Sequence, residues 1–507
     1  MKNQNKNIYR ALLILSFIGL NLLLVAAISN ILSYLNTGAD KSTMLNLTLG
    51  AEPVYKPHLV WKDSINPSRP IEKPTKKRVA QDYLNAWYVR EVALATGENT
   101  GIADYYTESA RTKIDTLLHQ NKKNKTFIKG ASLNHELYLE FYSADGQLIS
   151  FRDEAVFEIK QIYDQEKLVL ETRDTSAYRV VMLLEDGFWR IRHQERIIPQ
   201  AKDSSAQKSS LKQLPQWIKG VNYYPQEHPW NTFDTLFNAK SIQADFEKIK
   251  QLNLNTLRIF VGYEDFGKAE VNPEKLNRLK QLMDLAQDAE LQVIVTLFDF
   301  YGDYSVLDTP NTFKHARSIV SAIKAHPALL AWDLKNEPDL DFDNRGRDQV
   351  TFWLQNHIAH LKQLDPETPV TIGWSKAKAA TILEEKLDVV SFHYYEELDH
   401  FEETYRDLKA NTSKPIMLQE FGLSTYSGLW KPFGNDENDQ TTYYERILPI
   451  LKSNNLHFAF WTLYDFDEVP TAVVGRLPWR RAPQKKFGIL DSQGESKEAA
   501  ALFKALK

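Results

Sequence analysis

Residues 217–507 alternate short apolar segments with amphipathic segments of helical period, and this pattern constrains the fold more than any other feature. The eight apolar segments are IKGVNYY, TLRIFV, VIVTLFDF, LLAWDLKNE, PVTIGW, VVSFHYY, PIMLQEFG and FAFWTLYDF. Segments of this length read as strands, and the faces between them read as helices. Eight such units predict an α/β fold, a (β/α)₈ TIM barrel over residues 216–507. A doubly wound open sheet is the alternative, but it usually carries a Gly-rich phosphate-binding turn that is absent here.

Polar and aromatic side chains cluster at the carboxyl ends of the predicted strands, which is where barrel enzymes place their active sites. In chain order they are Tyr223, Arg258, Asp299, Asn336, Glu337, His393, Tyr395, Glu420 and Trp461. Two carboxylates on separate strands are the minimum equipment for glycoside hydrolysis. One donates a proton to the leaving oxygen, and the other attacks the anomeric carbon.

Two of these strand ends carry motifs that resemble a known family. WDLKNEPD and LQEFG resemble the signatures of glycoside hydrolase clan A, and within it the cellulase and mannanase type of family 5. The resemblance extends over residues 217–507 and includes the closing FGILDSQG. It implies that Glu337 is the acid/base and Glu420 the nucleophile of a retaining mechanism.

The same resemblance implies roles for the neighbouring residues. Arg258 and Tyr395 are expected to contact the nucleophile, and Asn336 to bind the substrate 2-hydroxyl. His393 and Trp461 are expected to line the sugar subsites. If the fold is right, the two carboxyl groups should lie about 5 to 5.5 Å apart, the spacing of retaining enzymes.

Other candidates at the strand ends are less specific. Tyr223 is expected to contact substrate, while Asp299 either binds a sugar or caps a turn. No grouping of the 12 His with carboxylates shows zinc spacing, so neither a metal nor a cofactor is expected.

Two loops near the predicted site are rich in aromatic or basic residues. The loop after Glu420 contains three aromatic residues, Tyr426, Trp430 and Phe433. They either form the floor of a glycan-binding cleft or pack within the loop itself. The segment VVGRLPWRRAPQKK follows the last strand, and it either accepts an anionic polysaccharide or is an ordinary solvated loop.

The N-terminal region predicts a membrane anchor. Basic residues within 1–10, the predicted cytoplasmic tail, precede an apolar stretch at residues 11–35. As a helix this stretch would be about 37 Å long, enough to cross a hydrocarbon layer of about 30 Å. A signal peptide would have a shorter apolar core. The flanking charges predict a cytoplasmic N-terminus and an extracytoplasmic catalytic domain, held at the cell membrane by a single pass.

A second module separates this stretch from the barrel. Residues 36–75 are Pro-rich and predict an extended linker, and residues 201–215 predict another. Between them, residues 76–200 show two helical patterns followed by strand patterns. This order resembles the cone-shaped α+β fold of the SnoaL and nuclear transport factor superfamily. We interpret the module as a non-catalytic spacer or as a binding site for a protein partner, with His135 and His193 as ordinary strand residues.

Composition excludes several functions. The chain has no Cys, and its net charge of −4 gives no electrostatic case for nucleic acid binding. The sequence therefore predicts a membrane-anchored, retaining endo-type β-glycosidase whose substrate is a polysaccharide or oligosaccharide. The alternatives are a transglycosylase and a catalytically silent glycan-binding scaffold of a polysaccharide synthesis or export machinery.

Overall fold

The computed structural model describes residues 55–62, 70–197 and 210–506, and separate positions between 16 and 28. Within these residues the chain forms a smaller accessory domain, up to residue 197, and a barrel from residue 219 onward. The predicted linker at 201–215 lies mostly outside the described residues.

The accessory domain is an α+β unit in which three helices precede a long-stranded sheet. Its elements are β1 (His58–Trp61), α1 (Lys73–Thr96), α2 (Ile102–Tyr105), α3 (Glu108–Asn124), β2 (Thr126–Tyr142), β3 (Leu148–Asp164), β4 (Lys167–Glu185) and β5 (Phe188–Ile197). Strands β2 to β5 pair antiparallel in sequence order, and β1 joins the edge of β2 in parallel. Helix α1 buries Tyr83 and Trp87 in the domain core. It ends at Gly97, whose left-handed φ of 78° suits a residue without a side chain.

Two boundaries differ from the sequence prediction. The linker predicted at 36–75 contains β1, because the apolar segment HLVW finds an unpaired strand edge on β2. The sequence carries two separate strand patterns here, KLVLETRD at 167–174 and AYRVVMLLE at 177–185, but the structure joins them in the single strand β4. No Gly or Pro interrupts that segment, so nothing in it ends the strand.

The barrel is closed by eight parallel strands in the order β10-β11-β12-β13-β6-β7-β8-β9, as predicted. The strands are β6 (Lys219–Asn222), β7 (Thr256–Gly262), β8 (Gln292–Asp299), β9 (Leu329–Asn336), β10 (Val370–Trp374), β11 (Val390–Tyr394), β12 (Ile416–Phe421) and β13 (His457–Phe460). The helices are α4 (Ala239–Gln251), α5 (Pro273–Asp288), α6 (Thr309–Ile323), α7 (Phe342–Arg345), α8 (Arg347–Leu364), α9 (Phe401–Ala410), α10 (Glu437–Ser453), α11 (Thr471–Val474), α12 (Pro478–Gln484) and α13 (Ala500–Lys504).

Local sequence signals place the barrel helices. Asn238 and Asn272 accept backbone N–H bonds at the starts of α4 and α5, and Asp436 forms a capping box with Asp439 at the start of α10. The apolar faces of these helices pack on the outer side of the strands in one large core. All eight strand ends are thereby fixed around a single mouth.

The accessory domain packs directly against the barrel. Val306, which follows β8, Phe313 of α6 and Phe352 of α8 lie in the same apolar cluster as the accessory core. Polar contacts surround this cluster: Arg173 of β4 donates to Gln355 at 2.5 Å, and Lys56 pairs with Glu270 at 2.9 Å. The two domains therefore share an apolar interface.

The predicted membrane helix over residues 11–35 lies largely outside the described residues. The positions that are described there are helical, with exposed apolar side chains such as Phe17 and Leu23. Among the described residues, no helix combines the length and the apolar character needed to traverse a bilayer. The structure therefore gives no support for the predicted transmembrane helix.

Candidate active site

Two carboxylates face each other across the mouth of the barrel. Glu337 follows the last residue of β9, and Glu420 lies near the end of β12. One oxygen of each lies within 4.8 Å of the other, and both line a cavity of about 530 Å³. Strands that are not adjacent in the barrel thus bring together the two glutamates that the sequence selected.

Glu420 is held by two donors from different strands. The Arg258 guanidinium donates to Oε2 at 3.1 Å, and the Tyr395 hydroxyl donates to Oε1 at 2.8 Å. Burial and the adjacent Glu420 carboxylate raise the pKa of the Tyr395 hydroxyl, so it stays protonated and donates at neutral pH. Both contacts stabilise a negative charge on Glu420.

The Arg258 guanidinium is the centre of a buried hydrogen-bond network and is not exposed to substrate. It is fully buried, and it donates twice to Asp333, at 3.0 and 2.7 Å. It also donates to Asn222 at 3.0 Å and to Asn336 at 2.8 Å. Burial lowers the pKa of Arg258, but the Asp333 and Glu420 carboxylates outweigh burial, and the pKa is raised. The expected contact of Arg258 with Glu420 is thus present, and because the guanidinium is buried, it orients Glu420 from within the protein.

Asp333 is the member of this network that the sequence analysis missed. It is fully buried and accepts hydrogen bonds from Thr296 at 2.7 Å and from the Gly373 backbone at 3.0 Å. A carboxylate inside the otherwise apolar start of the strand LLAWDLKNE was the signal that could have found it, because a buried charge needs a partner.

His393 bridges the two carboxylates. Its Nδ1 lies 2.9 Å from Oε1 of Glu337 and 3.7 Å from Oε2 of Glu420. Burial lowers the pKa of His393, but the Glu420 and Glu337 carboxylates outweigh it, so the pKa is raised above its ordinary value. The imidazole is buried, so it acts on Glu337 rather than as an open wall of the cavity.

The backbone around Glu337 is fixed as tightly as its side chain. Glu337 has a left-handed φ of 46°, uncommon for a residue with a side chain, and its N–H donates to Gly373 O at 2.7 Å. A Cβ at Gly373 would lie 2.7 Å from Gln419 Oε1 and 2.9 Å from both Arg258 and His393. Only glycine lets β10 approach the site this closely.

The cavity wall contains the other predicted contacts. Asn336, Asp299, Tyr395 and Trp461 all line it, and Trp461 follows β13 with its ring 5.5 Å from that of Tyr224. Side chains that the sequence analysis did not select also line it, chiefly Tyr224, Trp230, Phe260, Arg345 and Phe487. The cavity therefore combines carboxylates at its base with an aromatic wall, which suits a sugar ring.

Tyr223 does not take part in this cavity, so its predicted substrate contact is wrong. It is 2% exposed, and its hydroxyl donates to Asp245 of α4 at 2.9 Å. Side chains alternate along the backbone beyond Asn222, which turns Tyr223 toward the helices and Tyr224 toward the cavity.

The carboxylates and His393 also have a spacing that could hold a metal ion, although the sequence shows no zinc motif. His393 Nδ1 already contacts Glu337, and the Arg258 cation contacts Glu420. A further cation would meet like charge at this position. The geometry therefore favours proton transfer over metal binding.

The accessory domain contains a second polar cluster around His135, which was expected to be an ordinary strand residue and lies in β2. His135 Nδ1 lies 2.6 Å from Asp153, and its Nε2 lies 2.9 Å from the Ser132 hydroxyl. All three side chains are fully buried, and Tyr55 covers Ser132. This order of contacts is that of a nucleophilic triad, but the burial closes it to substrate, so we interpret it as an internal network. His193, by contrast, is exposed.

Comparison with known proteins agrees with this geometry. Residues 219–467 match the profile of the cellulase family, glycosyl hydrolase family 5. The barrel is a glycoside hydrolase domain of the family 5 type. The strand-end motifs WDLKNEPD and LQEFG lie within the matched residues, in agreement with the resemblance found in the sequence.

Curated relatives match part of the chain. The chain is 26% identical over 229 residues to the β-glucuronidase of Chlorocebus aethiops, covering 41% of this chain and 33% of that protein. It is 27% identical over 205 residues to the human β-glucuronidase, covering 37% and 29%. The match thus spans about a third of the length of these relatives.

Solved structures with a similar fold include further glycosidases. The exo-β-1,4-mannosidase Op5Man5 from Opitutaceae bacterium strain TAV5 has a TM-score of 0.48 at 20% identity, covering 57% of this chain and 59% of its own. GH5_18 from Streptomyces cattleya, in complex with GlcNAc, has a TM-score of 0.46 at 16% identity, covering 59% and 80%.

Proposed function

We propose that the protein is a retaining, endo-type β-glycosidase in which Glu337 is the acid/base and Glu420 the nucleophile. The observation that carries the proposal is the pair of carboxylate oxygens within 4.8 Å of each other. That separation leaves no room for the water of an inverting enzyme, which needs about 6.5 to 9.5 Å between the carboxyl groups.

The contacts of the two glutamates support different roles. Glu420 accepts from the Arg258 guanidinium and the Tyr395 hydroxyl, and these two donors fix the orientation of its carboxylate for attack. Glu337 has a side chain that is 23% exposed, and one of its oxygens lies 2.9 Å from the His393 ring, a group that can exchange a proton with it. In this mechanism Glu337 protonates the leaving oxygen while Glu420 attacks the anomeric carbon. Glu337 then removes a proton from the water that releases the sugar.

A trapping experiment tests the assignment of the nucleophile. A 2-fluoro glycoside slows release of the glycosyl enzyme, so peptide mass analysis after incubation is expected to find the label on Glu420. Label on another residue would overturn the assignment. No label and no hydrolysis across a broad panel of sugars would favour the silent scaffold instead.

A variant pair tests the acid. We expect Glu337→Gln to bind substrate but to lose turnover on glycosides with poor leaving groups, because those depend on protonation. Glu402→Gln, which changes an exposed glutamate on α9, is the matched control and should retain the parent rates. Equal rates for both variants would reject Glu337 as the acid. Product analysis with added acceptor sugars distinguishes hydrolysis from transglycosylation, and product length distinguishes endo from exo cleavage.

The proposal includes an extracytoplasmic location at the cell membrane. Its support is the apolar stretch at residues 11–35 and the basic residues before it. Protease treatment of intact cells, or of spheroplasts where an outer layer blocks access, should degrade the catalytic domain. Its protection under those conditions, with degradation after lysis, would refute this location.

A further inference from the structure

A second cavity of about 450 Å³ lies beside the catalytic cavity, and we call it the basic cleft. It is lined by Tyr426, Trp430, Arg476, Pro478, Arg481, Ala482, Lys485 and Lys486. Four of these side chains are cations, two are aromatic, and none is a carboxylate. The loops after β12 and β13 build it, which are the loops that follow Glu420 and Trp461.

The charges in the cleft are only partly neutralised within the protein. Arg481 donates to the Val469 carbonyl at 3.0 Å, and Lys485 donates to the Asp467 carbonyl at 2.5 Å. Carbonyl oxygens accept these hydrogen bonds without cancelling the charge. Lys486 does pair with the buried Asp465, at 3.2 Å, but that carboxylate also pairs with Lys497 at 2.8 Å. The cleft is therefore positively charged.

The catalytic cavity has the opposite character. Asp299, Glu337, Asp341 and Glu420 line it, and Arg345 is the one cation among its lining residues. An acidic group on the sugar at the cleavage point would face these carboxyl groups. An acidic group farther along the chain would face the cations of the cleft.

The two cavities share a wall. Gln484 and Phe487 line the catalytic cavity, while Arg481, Lys485 and Lys486 of the same segment line the cleft. The distance across such a segment is that of one helix, about 10 Å. Trp430 and Trp479 are close neighbours beside the cleft, with ring centroids 6.4 Å apart, and both are exposed. One glycan chain can thus occupy the catalytic cavity and stack along the cleft.

Building on the proposed function, we propose that the substrate is a carboxylated polysaccharide whose acidic units bind in the basic cleft while a neutral unit occupies the cleavage point. Arg481 and Lys485 bind the carboxylates through charge-assisted hydrogen bonds. Trp430 supplies a stacking face for the sugar rings.

Binding to an inactive protein tests this proposal separately from catalysis. Full-length Glu337→Gln protein is titrated with polygalacturonate, alginate and hyaluronan, and with the carboxyl-reduced form of each. We expect at least one acidic polymer to bind at least about tenfold more tightly than its reduced form, with an affinity that falls as salt is added.

Matched variants locate the binding. Adding Arg481→Gln and Lys485→Gln should lower the affinity for the acidic polymer by about tenfold or more. The affinity of this variant should also depend less on the salt concentration. The control adds Lys240→Gln and Lys280→Gln, which remove two exposed lysines from α4 and α5 and should leave the affinity unchanged. Far-UV circular dichroism of all variants checks that they remain folded.

Phosphatidylglycerol vesicles are titrated in parallel as an anionic membrane surface. The proposal is overturned if no acidic polymer binds better than its reduced form, or if the Arg481→Gln and Lys485→Gln variant binds as tightly as the control. It is also overturned if the protein binds the vesicles and none of the polymers. None of these outcomes depends on hydrolysis. A failure of the catalytic proposal would show instead as absence of label on Glu420, and it would leave the binding result intact.

Discussion

Arg258 is expected to stabilise the fold through its ion pair with Asp333 and to support catalysis through its contact with Glu420. The variant Arg258→Met tests both effects. The substitution removes the cation that faces Asp333, and both side chains are fully buried. Leaving a buried charge without its partner costs about 3 to 5 kcal/mol. The Thr296 hydroxyl and the Gly373 backbone still donate to Asp333, so we expect the lower end, about 3 kcal/mol.

This cost corresponds to a measurable shift in melting temperature. An unfolding entropy of about 2.1 cal/mol/K per residue, summed over both domains, gives roughly 0.9 kcal/mol/K, so Tm should fall by about 3 °C. Adding Asp333→Asn removes the unpaired charge and should restore most of this loss. Differential scanning fluorimetry of the single and double variants measures both values.

Catalysis should not recover in the double variant. Both variants lack the hydrogen bond from Arg258 to Glu420, and a hydrogen bond to a charged group contributes about 1.5 to 3 kcal/mol, so the rate should fall by roughly 10- to 100-fold in both. The rate of Glu420 labelling by a 2-fluoro glycoside is the assay. The reasoning is refuted if Arg258→Met leaves Tm unchanged, or if Asp333→Asn restores the labelling rate along with Tm.

Three further predictions follow from contacts around the site and the interface. Burial and the neighbouring Asp303 raise the pKa of Asp308 to about 7. The stability that goes with its protonated form is therefore present at low pH and is lost as pH rises from about 4 to about 7, and the full shift corresponds to about 4 kcal/mol. Asp308→Asn should make Tm depend less on pH between about pH 4 and pH 7, and an unchanged pH profile of Tm would contradict this assignment. Tyr395→Phe removes one donor to Glu420 and should lower kcat/KM roughly tenfold, since the hydroxyl bonds a charged group; full activity would exclude that contact from catalysis. Phe352→Ala should cost about 3 to 5 kcal/mol through loss of buried packing between the domains, with faster proteolysis of the accessory domain, and an unchanged digestion pattern would argue against the shared core.

The sequence predicted the barrel because its strands and helices carry opposite periodicities. Apolar faces such as Ile242, Phe246 and Ile249 of α4 recur at helical spacing and are buried as expected. The proximity of Glu337 and Glu420 could be predicted because both lie at the carboxyl ends of strands. In a closed barrel these ends converge irrespective of the loop sequences.

The errors arose where side-chain direction or long-range packing decides the outcome. Tyr223 and Tyr224 are adjacent and chemically alike, and only backbone alternation past the end of β6 decides which faces the cavity. Arg258 was correctly expected beside Glu420, but its second partner Asp333 comes from β9, and only the closed barrel brings these two side chains together. Phe313 and Phe352 look like ordinary helix residues, and no local pattern shows that they pack against another domain.

The shared core of the two domains has a consequence for how the enzyme can be handled. The accessory domain covers three apolar residues of the barrel, Val306, Phe313 and Phe352. A truncated barrel would expose this apolar surface to water and would tend to self-associate. The barrel is thus not an independent domain that can be expressed alone or fused to another protein without exposing these side chains. Deletion of residues 55–197 should therefore lower the solubility of the barrel first, while its own large core still holds the strands that carry Glu337 and Glu420.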